Sequence, residues 1–145
     1  MGLEREVVLR ELARRIGAVP MRPTRVAIDG PGAAGKTVFA SELARMIEST
    51  DRPIVRASVD GFHRPAPERY ARGRDSPEGY FFDSFDYASM RRVLLEPLGP
   101  NGDLAYRSAV FDYRTDAPVA APVQQAVPDA ILLFDGVFLL RLMWW

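Results

Sequence analysis

The sequence has 145 residues, 48% of them hydrophobic and 26% charged, and a formal net charge of zero. That is room for one hydrophobic core, with no general electrostatic pull on nucleic acid or an anionic membrane. The absence of cysteine excludes a disulfide scaffold and a thiolate metal site, and a single histidine, His63, excludes a multi-histidine metal centre.

Leu3, Val7, Leu12 and Ile16 recur at helical spacing with charged residues between them, which predicts an amphipathic first helix ended by residues 17–23. Arg25-Val26-Ala27-Ile28 is short and apolar enough for a buried strand. A glycine-rich turn follows, then a helix over residues 36–47 that would turn Phe39, Leu43 and Ile47 inward. Residues 53–59 read as the next strand. Residues 61–79, rich in Pro, Gly and Arg, read as a long irregular segment of the kind that is usually functional or disordered. The aromatics just after it (Tyr80, Phe81, Phe82, Phe85, Tyr87) argue against a disordered linker. Residues 86–95 are expected to be helical, 105–113 extended, and 115–128 a surface connection. Ala130-Ile131-Leu132-Leu133-Phe134 suits the middle of a parallel sheet. Strands alternating with helices predict an α/β fold in three layers around a mostly parallel sheet, as one unit over 1–145: an N-terminal helix over 1–20 and a core over 24–145. The stretch 130–140 is interrupted by Asp135 and too short to span a bilayer, and no apolar signal core follows the N-terminus, so a cytoplasmic protein is expected.

Gly30-Pro31-Gly32-Ala33-Ala34-Gly35-Lys36-Thr37 matches G-x-x-x-x-G-K-[ST] at every fixed position, between a predicted strand and a predicted helix. Glycines let the backbone close around phosphate oxygens, successive N–H groups form an anion nest, and the helix N-terminus adds partial positive charge. Lys36 is expected to reach the β- and γ-phosphates of ATP, and Thr37 to offer its hydroxyl to Mg²⁺. Such a loop needs an acid at the end of a neighbouring strand. Asp135 directly follows 130–134 and is the candidate, unless it merely starts a turn. Asp60 follows the second strand, where ligand crevices of parallel sheets lie, and is the candidate base for an attacking hydroxyl. Asp29 is expected to brace the phosphate loop. His63 is either a solvated loop residue or a hydrogen-bond partner of a substrate hydroxyl. Arg64, Arg69, Arg72 and Arg74 are either a phosphate patch or a solvated loop.

These residues, with Val59-Asp60-Gly61-Phe62-His63-Arg64-Pro65, Tyr80-Phe81-Phe82-Asp83-Ser84-Phe85-Asp86, Val110-Phe111-Asp112-Tyr113-Arg114 and Phe134-Asp135-Gly136, resemble the uridine kinase and phosphoribulokinase superfamily, which includes the type I pantothenate kinases. The resemblance runs over about residues 26–140. It implies a P-loop kinase using ATP and Mg²⁺, with Asp60 as catalytic base and Asp135 standing where the family has Glu. It places an acceptor-binding aspartate at Asp83, with Asp75 or Asp86 as alternative registers, and an acceptor contact at Phe111. The implied acceptor is a nucleoside, or alternatively pantothenate or another small alcohol. A nucleotide-binding fragment without turnover is the other alternative. No nucleic-acid or membrane partner is expected. Family uridine kinases carry a histidine where Arg114, Thr115 and Asp116 stand here. They also continue beyond the point matching Trp145 with a further strand, an arginine-bearing lid and an adenine-contacting loop. On that reading the C-terminal part is missing and the chain is a poor kinase alone. A helix from about Val137 would then leave Phe138, Leu139, Leu142, Trp144 and Trp145 in need of burial, with homo-oligomerisation as one outlet.

Overall fold

The computed structural model describes residues 2–141. Helix α1 (Leu3–Gly17) leads to strand β1 (Thr24–Asp29), helix α2 (Lys36–Glu48) and strand β2 (Ile54–Ser58). A 3-10 turn (Val59–Phe62) then enters three short helices, α3 (Ala66–Arg69), α4 (Pro77–Asp83) and α5 (Tyr87–Met90), the last running into a π turn (Arg91–Leu95). Four two-residue strands follow: β3 (Ala105–Tyr106), β4 (Phe111–Asp112), β5 (Ala117–Pro118) and β6 (Gln124–Gln125). They pair antiparallel as β3 with β6 and β4 with β5. Strand β7 (Ile131–Gly136) returns to the centre.

The main sheet is parallel in the order β1-β7-β2. Every residue of β7 is buried, as its continuous apolar run predicts for a central parallel strand. Alternation along it divides the core in two. Ile131 and Leu133 face α1 and α2, joining Leu9, Ala13, Leu43, Ala44 and Ile47. Leu132 and Phe134 face the other way, joining Val55, Ala57, Phe62, Met90 and Leu94. The result is an α/β sandwich with helices on both faces of a parallel sheet.

Three sequence expectations change. In α1 the buried stripe is Leu9 and Ala13, with Leu12 and Ile16 partly buried beside it; Leu3 and Val7 are 79% and 59% exposed. The stripe at 9, 12, 13 and 16 matches the contact with α2, whereas the first turn of α1 reaches α2 mainly through Arg5, paired to Glu42 at 2.7 Å. The segment 61–79 is not structureless, because it contains α3 and the start of α4. Ser76 caps α4 by accepting from the Gly79 N–H at 3.0 Å, with Pro77 in the first turn. Among the described residues after β7, no α-helix starts at Val137; the chain forms a 3-10 turn (Leu139–Arg141) there. Val137 and Leu139 are buried in the core, and Phe138 packs on Tyr80 and Phe81 at 5.1 and 5.0 Å between ring centroids. Leu142, Trp144 and Trp145 lie outside the described residues. Among the described residues no helix is long and apolar enough to cross a membrane.

Candidate active site

The phosphate loop runs from β1 into α2, where the sequence places it. Ala33 adopts φ 59° and Gly35 φ 82°, the left-handed turns that curl the backbone into a nest. Among the described residues, no backbone N–H of Gly32, Ala33, Gly35, Lys36 or Thr37 donates to another group; only Ala34 N–H is engaged within the loop, at 3.3 Å to the Pro31 carbonyl. Five unengaged donors at a helix N-terminus form a cradle for an anion. The Lys36 ammonium donates to the Pro31 carbonyl at 2.6 Å and so lies across the loop.

Strand β7 brings the acid. Asp135 is 4% exposed and stands between Ile28 of β1 and Ser58 of β2 in the sheet register. Its Oδ2 accepts from the Thr37 hydroxyl at 3.3 Å. Asp135 therefore faces the loop from the sheet and is not a turn residue. Gly136 behind it fits only without a side chain, since a Cβ there would lie 2.6 Å from Val59 Cγ1. Asp29 accepts from the Leu139 N–H at 3.1 Å, so it braces the segment after β7 and not the phosphate loop. A hydroxyl and one carboxylate, both hard oxygen donors, suit Mg²⁺, which completes its shell with water and phosphate oxygens. No group of three or more His, Asp or Glu residues that could hold a metal gathers among the described residues, here or elsewhere.

Asp60 lies on the far wall, in the 3-10 turn after β2. The turn is fixed locally: Ser58 Oγ accepts from Asp60 N–H at 3.2 Å, and buried Phe62 meets Phe134 edge-on at 6.5 Å. Lys36, Thr37, Asp60, His63 and Asp135 all line one cleft of about 370 Å³. Tyr80 and Phe85 also line it; the sequence signals only their aromatic density.

His63 holds its Nδ1 2.9 Å from the Asp60 carbonyl oxygen and packs at a tilt against Phe85 and Tyr113, at 4.8 and 4.5 Å between ring centroids. Nδ1 thus carries the proton and donates, leaving Nε2 as an acceptor. Burial holds the His63 pKa below the ordinary histidine value, against a smaller opposing pull from Asp60.

The remaining candidates lie apart from the loop. Phe111 lines a second hollow of about 440 Å³, together with His63, Arg64, Asp86 and Ser89. Asp83 lines neither cavity; it pairs with Arg72 at 3.0 Å. Asp86 is the aspartate of the three in the hollow. It caps α5, accepting from Ser89 N–H at 3.0 Å and Ser89 Oγ at 2.6 Å. Burial pushes its carboxyl up, but the Ser89 hydrogen bonds and the charges of Arg64 and Arg92 bring it below the ordinary value. Asp75 is exposed on the connecting turn.

No protein-family model and no curated protein matches the sequence. A solved structure described as a possible uridine kinase from Bacillus stearothermophilus matches with a TM-score of 0.81 and 22% sequence identity. The match covers 98% of this chain and 76% of that one. The chain has the fold of that protein, a uridine kinase-like P-loop fold built on a central parallel sheet.

Proposed function

We propose that this protein transfers the γ-phosphoryl group of ATP to a hydroxyl of a small molecule. The observation that carries the proposal is the single cleft holding an unengaged backbone nest, Lys36, the Thr37–Asp135 pair and, opposite them, Asp60. Phosphoryl transfer asks for positioning and charge neutralisation and little covalent chemistry from the protein, and this set supplies both. The N–H groups of 32–37 and Lys36 bind the phosphates. Thr37 and Asp135 hold Mg²⁺, directly or through water. When bound, the ion neutralises charge on the β- and γ-phosphate oxygens. Asp60 accepts the proton of the attacking hydroxyl and orients its oxygen toward the γ-phosphorus. His63 fixes the Asp60 backbone and offers Nε2 to a neighbouring hydroxyl of the acceptor.

The described neighbour supports a nucleoside acceptor as the first class to test. The hollow of Phe111 and Asp86 is then the place for the acceptor's ring and hydroxyls, reached past His63. On this reading Asp86 and Phe111 contact the acceptor, and Asp83 organises the surface through Arg72.

The test is acceptor-dependent release of ADP from Mg·ATP over a panel of nucleosides and small alcohols. Asp60→Asn is expected to keep ATP affinity and to slow transfer by about 10²–10⁴-fold, the scale of a general base. Turnover of that variant at the parental rate would put the acceptor hydroxyl elsewhere. ATP binding with no acceptor-dependent ADP would make the protein a nucleotide-binding module.

A further inference from the structure

Strand β2 stands at one edge of the main sheet and turns Ile54, Arg56 and Ser58 toward α2. Ile54 packs there with Leu43 and Ile47. Arg56 is paired in register with buried Leu133, so this helix-covered face asks for an apolar side chain. The sequence supplies a guanidinium instead. An arginine that merely guards a sheet edge sends its head into solvent. Arg56 does not. Its Nε is buried and meets no hydrogen-bond partner among the described residues, so the group is held out of water at a cost.

The other end of the guanidinium is engaged. Arg56 Nη1 donates to Ser41 Oγ at 3.3 Å. A guanidinium has no acceptor, so this direction is fixed and the Ser41 proton is left for another partner. It goes to the Thr37 carbonyl at 3.0 Å, one turn back along α2. The Thr37 hydroxyl in turn donates to Asp135 Oδ2 at 3.3 Å. Three hydrogen bonds thus run from β2 through the start of α2 to β7. Among the described residues, the bond from Arg56 is the one that joins side chains of α2 and β2. The first turn of α2 needs such an anchor, because its N–H groups are left open for an anion and hold no partner of their own.

We propose that Arg56 is a positioning residue for the Mg²⁺·nucleotide site: through Ser41 it fixes the first turn of α2, and with it the Thr37 hydroxyl, in front of Asp135. The inference rests on the phosphate-loop and Mg²⁺ assignments above and goes beyond them to a residue outside the cleft. Neither Arg56 nor Ser41 lines that cleft. Both act through Thr37. The same tie joins Thr37 to the strand that leads into Asp60, so the two walls of the cleft are set against each other from behind.

The probe is ADP, titrated into the nucleotide-free protein by calorimetry with Mg²⁺ and with EDTA in its place. Arg56→Met keeps the bulk of the side chain and removes its donors. It should weaken Mg·ADP binding roughly fivefold, the scale of one lost hydrogen bond, and leave metal-free ADP binding unchanged, because the nest is backbone. Ser41→Ala should lose as much, and Ser41→Thr, which keeps the hydroxyl, should bind as the parent does. Arg56→Met combined with Ser41→Ala should lose no more than either alone, since both break one relay. In the nucleotide-free protein the Thr37 methyl NMR signal should move in both Arg56→Met and Ser41→Ala. Equal weakening with and without Mg²⁺, additive losses in the double variant, or a Ser41→Thr protein as weak as Ser41→Ala overturns the relay. So does a lowered unfolding midpoint with unchanged Mg·ADP binding, which would make Arg56 a structural residue only. If the parent binds ADP in neither condition, the nucleotide reading fails, and the Thr37 methyl signal alone decides the hold of Arg56 on Thr37: a shift common to both variants sustains it and an unmoved signal overturns it.

Discussion

Gly136→Ala isolates the packing that holds Asp135 at the phosphate loop. The added Cβ would lie 2.6 Å from Val59 Cγ1, 2.7 Å from Val59 Cβ and 3.2 Å from Leu139 Cδ2. Carbon atoms rest at about 3.5–4.0 Å, so the first two contacts are short by roughly 1 Å. Val59 is 2% exposed and Leu139 is fully buried, so neither can swing into solvent. The strand cannot retreat either, because it is paired to β1 and β2 on both sides. The expected cost is at the upper end of the usual overpacking range, about 2–3 kcal/mol, measured by urea denaturation. Val59→Ala alone should cost about 2 kcal/mol through lost burial and a residual cavity. The double variant restores room for the new methyl group and should be more stable than the sum of the two by about 1–2 kcal/mol. Affinity for Mg·ATP should fall with Gly136→Ala and recover in part in the double variant, since Asp135 is its immediate neighbour. A Gly136→Ala protein within about 0.5 kcal/mol of the parent would refute the argument that a close approach, and not backbone freedom, requires glycine here.

Lys36→Ala removes the side-chain cation lying across the phosphate loop, and titration calorimetry with Mg·ATP should find no measurable binding in a folded variant. Asp86→Asn should raise acceptor KM, whereas Asp83→Asn, which breaks the pair with Arg72, should leave it unchanged; steady-state kinetics on both variants checks the assignment. His63 has a folded-state pKa below its unfolded value of about 6.5. The unfolded chain therefore binds the proton more readily, and His63 should cost stability as pH falls through 6.5, levelling off below the folded pKa. Urea midpoints between pH 5 and 7.5 should show this slope, and His63→Gln should lose it.

The proposed nucleotide side can be read in the sequence because it is written in contiguous residues. Residues 30–37 encode their own turn, helix start and cation, and 130–135 encode a buried strand with an acid at its end. The proposed acceptor side is assembled from segments far apart in the chain. Nothing near Asp83 announces that Arg72 neutralises it, whereas Asp86 and Ser89 do carry a readable signal, an N-cap acid three residues before its hydroxyl partner. The capping sequence Ser76-Pro77-Glu78 was equally readable as a helix start inside a stretch otherwise full of turn residues. In α1 two apolar stripes overlap, and periodicity alone cannot choose between them; the choice comes from where α2 lies. The same limit hid the burial of Arg69, a tertiary property that a run of arginines does not reveal.

The two sides meet in four residues. A 3-10 turn has three residues per turn, so positions i and i+3 stand one above the other. Asp60 and His63 have that spacing, and the His63 ring reaches back to the Asp60 carbonyl. Between them, Phe62 points into the core against Phe134, and Gly61 is pressed against the segment before β4, where a Cβ would meet Ala109 Cβ at 2.9 Å. The Gly61 carbonyl accepts from Val110 N–H at 2.9 Å, tying the turn to the strand that carries Phe111. The proposed base, the histidine at the junction of the cavities and the wall of the acceptor hollow are thus one rigid unit, anchored to the same sheet that carries Asp135. Such an arrangement fixes the distance from an acceptor hydroxyl to the phosphate loop without requiring any loop of the acceptor side to be independently stable.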